Sequence, residues 1–316
     1  MIINPIYVYE KKAMIRSVKF SIVISLFNAL LAFIVLASMS AVIQDVKNTA
    51  RVQYLSFLII FRLVALVEFL TVLFIIPAFT AGAISSERER KTLDLLYTTR
   101  IRPFDIVFGK FTVAIFTVCT LVVSSLPVLA LVFVYGGITA GGVLRLFTSY
   151  LIVVYYAGSI GLFASSFSKN TAMAVVIAYS VLIAFILGTL PHRLFFGGLP
   201  ADNQNQATVS VVASELMATY SNQSDVSGVM SLIYSINPVT AFYININSVI
   251  GNKESVNLLF DLIGGGDTGF IRKNWFGISM GFQFVTATVL TALSVCNITP
   301  ARSFGLFMGM VLASPP

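Results

Sequence analysis

The sequence predicts an all-α membrane protein with six transmembrane helices, and three observations predict it. The 316 residues are 57% apolar and only 10% charged, where soluble domains average roughly 45–50% and 25%. Twenty basic and 13 acidic side chains are too few to coat a soluble globule of this size, whereas a bilayer accepts apolar side chains directly. The apolar residues fall in six runs, each long enough at about 1.5 Å per residue to cross roughly 30 Å of hydrocarbon. The basic residues gather in short segments beside those runs, so the formal charge of +7 points to membrane orientation and not to nucleic acid.

Residues 1–19 carry Glu10, Lys11, Lys12, Arg16 and Lys19 and lead into the first run, 20–43, which has no charge. That run exceeds a signal-peptide core and no clear cleavage site follows, so an uncleaved helix is expected. The second run, 54–84, contains Arg62, Glu68 and Pro77, and residues 85–110 after it are the most charged stretch of the chain. The third run, 111–135, contains Pro127, which a span tolerates where neighbouring helices satisfy the freed carbonyl. Gly136, Gly137, Gly141 and Gly142 mark a turn. Only Ser168, Lys169 and Asn170 separate the runs 144–167 and 171–190, which predicts a tight antiparallel helical hairpin.

A long region, 191–274, precedes the last run, 275–295, which begins at Trp275, an interfacial residue type. Within the long region Val209, Val212, Leu216 and Met217 recur at helical spacing, so a short amphipathic helix is expected. Residues 226–252 carry no charge but are rich in Ser, Asn and Gly and are interrupted by Asn237-Pro238. They are too polar for a lipid-facing helix, and a re-entrant segment buried against protein is expected in place of a seventh span. Lys and Arg are denser in 1–19, 85–110, 168–170 and 299–316 than in the intervening connections. This bias places both termini in the cytoplasm and 191–274 outside.

The charged stretch has internal order. Ser86-Glu87-Arg88-Glu89 has the form of a capping box, in which the Ser hydroxyl accepts from the third backbone amide and Glu89 reaches back. The helix it would open carries Leu93, Leu96 and Tyr97 on one stripe, with Glu87/Lys91 and Arg90/Asp94 as pairs four residues apart. It would stop before Pro103, which suits the first turn of a new helix with Asp105 near its positive end. An ordinary basic loop fits these residues equally well.

Residues 82–99, from Gly82-Ala83-Ile84-Ser85-Ser86-Glu87-Arg88-Glu89 to Tyr97-Thr98-Thr99, followed by Pro103-Phe104-Asp105-Ile106 and Gly109-Lys110, resemble the permease subunits of ABC-2 type ABC transporters. Asn4-Pro5 with the basic residues after it, and Asn237-Pro238 before the last run, are similar to further motifs of that family. One departure is Lys91, where the family has Gly; in a charged helix Lys is the better helix former. The resemblance implies that 1–19 is an elbow helix on the inner leaflet, to which Ile6, Tyr7, Met14 and Ile15 with basic neighbours are suited. It implies that 86–99 is a coupling helix docked on an ATP-binding cassette subunit through Ser86, Glu87, Arg88, Glu89, Arg90, Lys91, Leu93, Asp94 and Tyr97. It also implies two permease copies, a homo- or heterodimer, in the plasma membrane of a bacterium, exporting a substrate.

The chain has no GxxxxGK[ST] phosphate loop, so no cofactor is expected in it, and ATP with Mg would belong to the partner subunit. No spacing of Cys119, Cys296 and His192 suggests a metal site, and the two cysteines are expected as small buried side chains. A secondary transporter or channel is the alternative function, but no internal repeat supports it. An intramembrane enzyme would need an acid pair or a Ser/His pair within the spans. Arg62 and Glu68 are the charges in the interior of the runs, Arg145 standing at the edge of 144–167, and each costs at least about 2.5–3.5 kcal/mol at the bilayer centre unless paired or wetted. They lie six residues apart and do not face each other on a straight helix. Both are candidates for a pathway or dimer interface; equally, Arg62 can snorkel outward and Glu68 can be hydrogen-bonded inside the bundle.

Overall fold

A computed structural model describes residues 12, 16–49, 54–92, 103–136, 138–189, 234–263 and 269–298, and among these every regular element is an α-helix. The helices are α1 (Val18–Thr49), α2 (Tyr54–Glu89), α3 (Pro103–Gly136), α4 (Ala140–Phe167), α5 (Thr171–Gly188), α6 (Pro238–Ile250), α7 (Lys253–Ile263), α8 (Gly269–Lys273) and α9 (Trp275–Ile298). Six of them, α1 to α5 and α9, are long and apolar enough to cross a membrane. They coincide with the six apolar runs, and α3, α5 and α9 begin at the predicted Pro103, Thr171 and Trp275.

The helices outlast the apolar runs that announce them. α2 continues through Ser86 to Glu89, and α3 includes Pro103–Lys110 as its first two turns. Hydropathy marks where lipid contact ends, whereas a helix ends where its backbone is capped. The capping box expected at Ser86 is therefore replaced: Ser86 is inside α2 and Glu89 is its last residue. The remainder of the expected helix 86–99, from Leu93 onward and including Asp94 and Tyr97, lies outside the described residues, as do His192 and the helix expected around 209–217. Of the elbow 1–19 only scattered positions are described.

The chain divides into two compact units, Met1–Ile183 with Phe284–Pro316, and Ala184–Gln283. In the first unit α4 is the most enclosed span, while α1 and α5 are the most exposed. Composition explains this. α4 carries Gly158, Gly161, Ala157, Ala164 and a run of serines, and small residues let helices approach closely where lipid supplies no hydrophobic driving force. A methyl group added at Gly161 would stand 2.8 Å from the Pro77 carbonyl oxygen and would clash with the Thr80 hydroxyl, so α2 and α4 touch there along their backbones. Ala81, Ala164, Ala174 and Ala178 form a second close contact between α2, α4 and α5. Outward, α1 shows Leu26 and Phe33 and α5 shows Val176 and Leu187, apolar side chains that suit a hydrocarbon solvent. Cys119 is half-buried and Cys296 is exposed, which corrects the expectation that both are buried.

In the second unit Asn237 closes two helix ends at once. Its side-chain oxygen accepts from the Val239 and Thr240 amides, with Pro238 in the first turn of α6. Its amide group donates to the Ile186 carbonyl, 3.1 Å away, near the end of α5. α6 ends at Gly251, and Asn252 then accepts from Ser255 to start α7. Tyr234, Ile244, Phe260 and Trp275 pack as one apolar cluster, with the Arg272 guanidinium over the Phe260 ring. α6 has 13 residues, a rise of about 20 Å, short of the roughly 30 Å of bilayer hydrocarbon.

Candidate functional site

The charged end of α2 is where the polar chemistry of the first unit collects. Its geometry starts from how the helix stops. Thr92 N–H donates to the Glu87 carbonyl at 2.9 Å and Lys91 N–H to the Arg88 carbonyl at 3.1 Å. That pair of bonds is a Schellman motif, with Lys91 in the left-handed position, and Lys91 has φ 57°. A lysine there is strained, because its Cβ crowds the following carbonyl; glycine is the residue that fits without strain. Lys91 stands at a helix end in this chain, and the explanation of it as a better helix former is corrected. The expected Glu87/Lys91 pair four residues apart also fails, since the helix ends between them.

Each charged side chain before the cap reaches a different element. Glu87 forms an ion pair with Lys110 of α3 at 3.0 Å and accepts a hydrogen bond from the Thr92 hydroxyl. Lys110 is 8% exposed, so this carboxylate compensates a largely buried ammonium. Arg88 donates to the Ser168 carbonyl at 2.7 Å and the Ser166 carbonyl at 3.0 Å, the last carbonyls of α4. Glu89 accepts from the Thr171 amide at 3.1 Å and the Thr171 hydroxyl at 2.8 Å, the first residue of α5. Behind them the Ser165 hydroxyl accepts from the Ile84 and Ser85 amides, both at 2.9 Å. Asn297 of α9 donates to the Ser166 hydroxyl. Arg90, Lys91, Lys169 and Asn170 remain exposed at this end.

Six of the nine residues predicted for coupling, Ser86 to Lys91, are thus brought together, while Leu93, Asp94 and Tyr97 fall outside the described residues. The partners that prediction missed are Lys110, Ser165, Ser166, Ser168 and Thr171. A faint signal existed, since Ser165-Ser166-Phe167-Ser168 is a dense hydroxyl run closing a span.

Glu68 stands 21 residues before Glu89, about 32 Å along the helix. It is fully buried and accepts a hydrogen bond from the Ser125 hydroxyl of α3. The Tyr150 hydroxyl of α4 donates to the Ala65 carbonyl of α2 at 2.9 Å. Tyr150 further lines an apolar cavity of about 300 Å³, together with Phe61, Val122, Leu126, Ala140 and Leu146. Arg62 is half-buried and lies six residues earlier on the same helix, about 1.7 turns away. Among the described residues no cluster of His, Cys, Asp and Glu forms a metal site.

Six apolar spans, small-residue packing through α4 and a structured charged knob beside the spans define a polytopic α-helical membrane protein. Residues 5–310 match the family described as ABC-2 family transporter protein. The chain belongs to that family and is a membrane component of a transporter. A search of curated proteins finds no match.

Proposed function

We propose that this chain is the permease subunit of an ABC-2 type exporter. Two copies, as a homo- or heterodimer, form the substrate pathway in the plasma membrane of a bacterium. Separate ATP-binding cassette subunits hold ATP and Mg and drive the switch between states, and the chain has no ATPase site of its own. Both termini and the charged end of α2 face the cytoplasm, with residues 1–19 as an elbow on the inner leaflet. Residues 191–274 are extracytoplasmic, and 226–252, with Asn237 and Pro238, is a re-entrant segment; the shortness of α6 supports that reading. Glu68 marks the pathway, where a buried carboxyl in a span is costly to keep without use, and Arg62 serves a pathway or a dimer contact nearer the start of α2.

The observation that carries the reading is the construction of the α2 end, in a chain whose family is established over nearly its full length. A surface loop would leave its charges in solvent. Here three consecutive ones, Glu87, Arg88 and Glu89, are each committed to a different element. Residues 86–99 are then the coupling element, with Arg90 and Lys91 facing the ATPase subunit and Glu87, Arg88 and Glu89 carrying its motion inward. The test is purification of the affinity-tagged chain from native membranes in mild detergent. The expected result is co-purification of a subunit carrying a GxxxxGK[ST] loop, Mg-ATP hydrolysis by the complex and no ATP binding by the isolated chain. Ion-driven uptake into liposomes by the isolated chain, with no such subunit, would instead establish a secondary transporter.

A further inference from the structure

We propose that Arg88 and Glu89 are positioning residues that lash the turn between α4 and α5 to the charged end of α2, so that this helical hairpin moves with α2 as one body. Only Ser168, Lys169 and Asn170 join two spans, so the last carbonyls of α4 and the first amides of α5 emerge side by side. The former are the negative pole of one helix and the latter the positive pole of the next, and both sets lack partners within their own helices.

Two adjacent residues of α2 supply opposite charges to opposite poles. The Arg88 fork donates to the carbonyls of Ser166 and Ser168, and Glu89 accepts twice from Thr171. The order of the two charges matters, since Glu opposite the carbonyls and Arg opposite the amide would both be repelled. The seam extends one residue further inward, where the Ser165 hydroxyl bridges two backbone amides of α2. Beyond it lie the alanine contact and the close approach of Gly161 to Pro77.

The exposed cations Arg90, Lys91 and Lys169 flank the lashing and make none of its hydrogen bonds, while the Arg90 charge stands close enough to favour the Glu87 and Glu89 carboxylates. Partner contact and internal transmission are thereby divided between neighbouring residues of one short motif. For its consequence in transport the inference rests on the coupling role proposed above. The lashing itself is measurable on the chain alone.

The experiment places spin labels at Arg90→Cys and Lys169→Cys in a full chain whose Cys119 and Cys296 are replaced by Ala, reconstituted in lipid nanodiscs. Double electron–electron resonance then reads the distance between the α2 end and the turn. The native motif should give one narrow distribution. Glu89→Ala should raise the population of a detached turn roughly tenfold, because it removes charge-assisted bonds. Glu89→Gln should restore the narrow distribution, because its amide oxygen still accepts from Thr171. The exchange of charges, Arg88→Glu with Glu89→Arg, keeps composition and net charge and should detach the turn most. A milder Thr171→Val, which keeps the amide and loses the hydroxyl, should broaden the distribution least, so the ranking survives even where one variant misfolds. Equal narrow distributions in the native, Glu89→Ala and charge-exchanged chains would overturn the proposal, and so would failure of Glu89→Gln to rescue. If the lashing ranks as expected but no ATPase subunit co-purifies with the native chain, the permease reading fails and the positioning role stands.

Discussion

α2 and α6 end in the same backbone motif, and the two ends differ in every other respect. After α6, Gly251 takes the left-handed position with φ 79°, Asn252 N–H donates to the Asn247 carbonyl, and nothing stands within 4 Å of where a Cβ would be. After α2, Lys91 takes the same position with φ 57°, beside an ion pair with α3 and the helix poles of α4 and α5. One cap uses the residue that costs least there. The other holds a residue that costs about 1–2 kcal/mol in that conformation, and strain of this kind persists where surrounding contacts over-determine the backbone. The difference teaches where the molecule has been shaped for something besides stability.

Variants can break the comparison, and the largest effect belongs to the contacts around the strained cap. Glu87→Ala leaves the Lys110 ammonium largely buried without its carboxylate and should destabilise the chain by about 2 to 3 kcal/mol, read as a fall in unfolding midpoint in detergent. Adding Lys110→Met should recover most of that loss; if it does not, the ion pair is not what holds the α2 end. Gly251→Ala meets no steric obstacle and pays only conformational strain, about 1 kcal/mol. A smaller effect of opposite sign is expected at Lys91→Gly, a gain of roughly 0.5–1 kcal/mol after the entropy of the unfolded glycine is counted. A loss of stability at Lys91→Gly would show that the lysine side chain makes a contact worth more than its strain.

How far sequence reached follows from the same two caps. The end of α6 carries a plain signal that the reading of 226–252 as one interrupted segment passed over, since Asn237-Pro238 can open a helix and Gly251 can close it. The end of α2 carries none, because lysine is no signal for a left-handed residue and Ser-x-x-Glu is a helix-start signal on its face. Six spans were legible from composition and run length, and the start of α3 from Pro103. The cluster's own charges were legible as a motif, but their partners were not, because serine and threonine are frequent in spans and nothing local ties Arg88 to Ser166 and Ser168. Glu68 was conspicuous as an acid in an apolar run, while Ser125 became its partner only through the packing of α2 and α3.

The central claim is that the charged end of α2 is the face a nucleotide-driven subunit presses on. The most direct test puts a photo-crosslinking amino acid at Lys91 and, separately, at Gly251, and irradiates native membranes. Capture of a subunit bearing a GxxxxGK[ST] loop from position 91 and not from position 251 is the predicted result. Capture from position 251, or from neither position while the tagged chain is intact in the membrane, would contradict it.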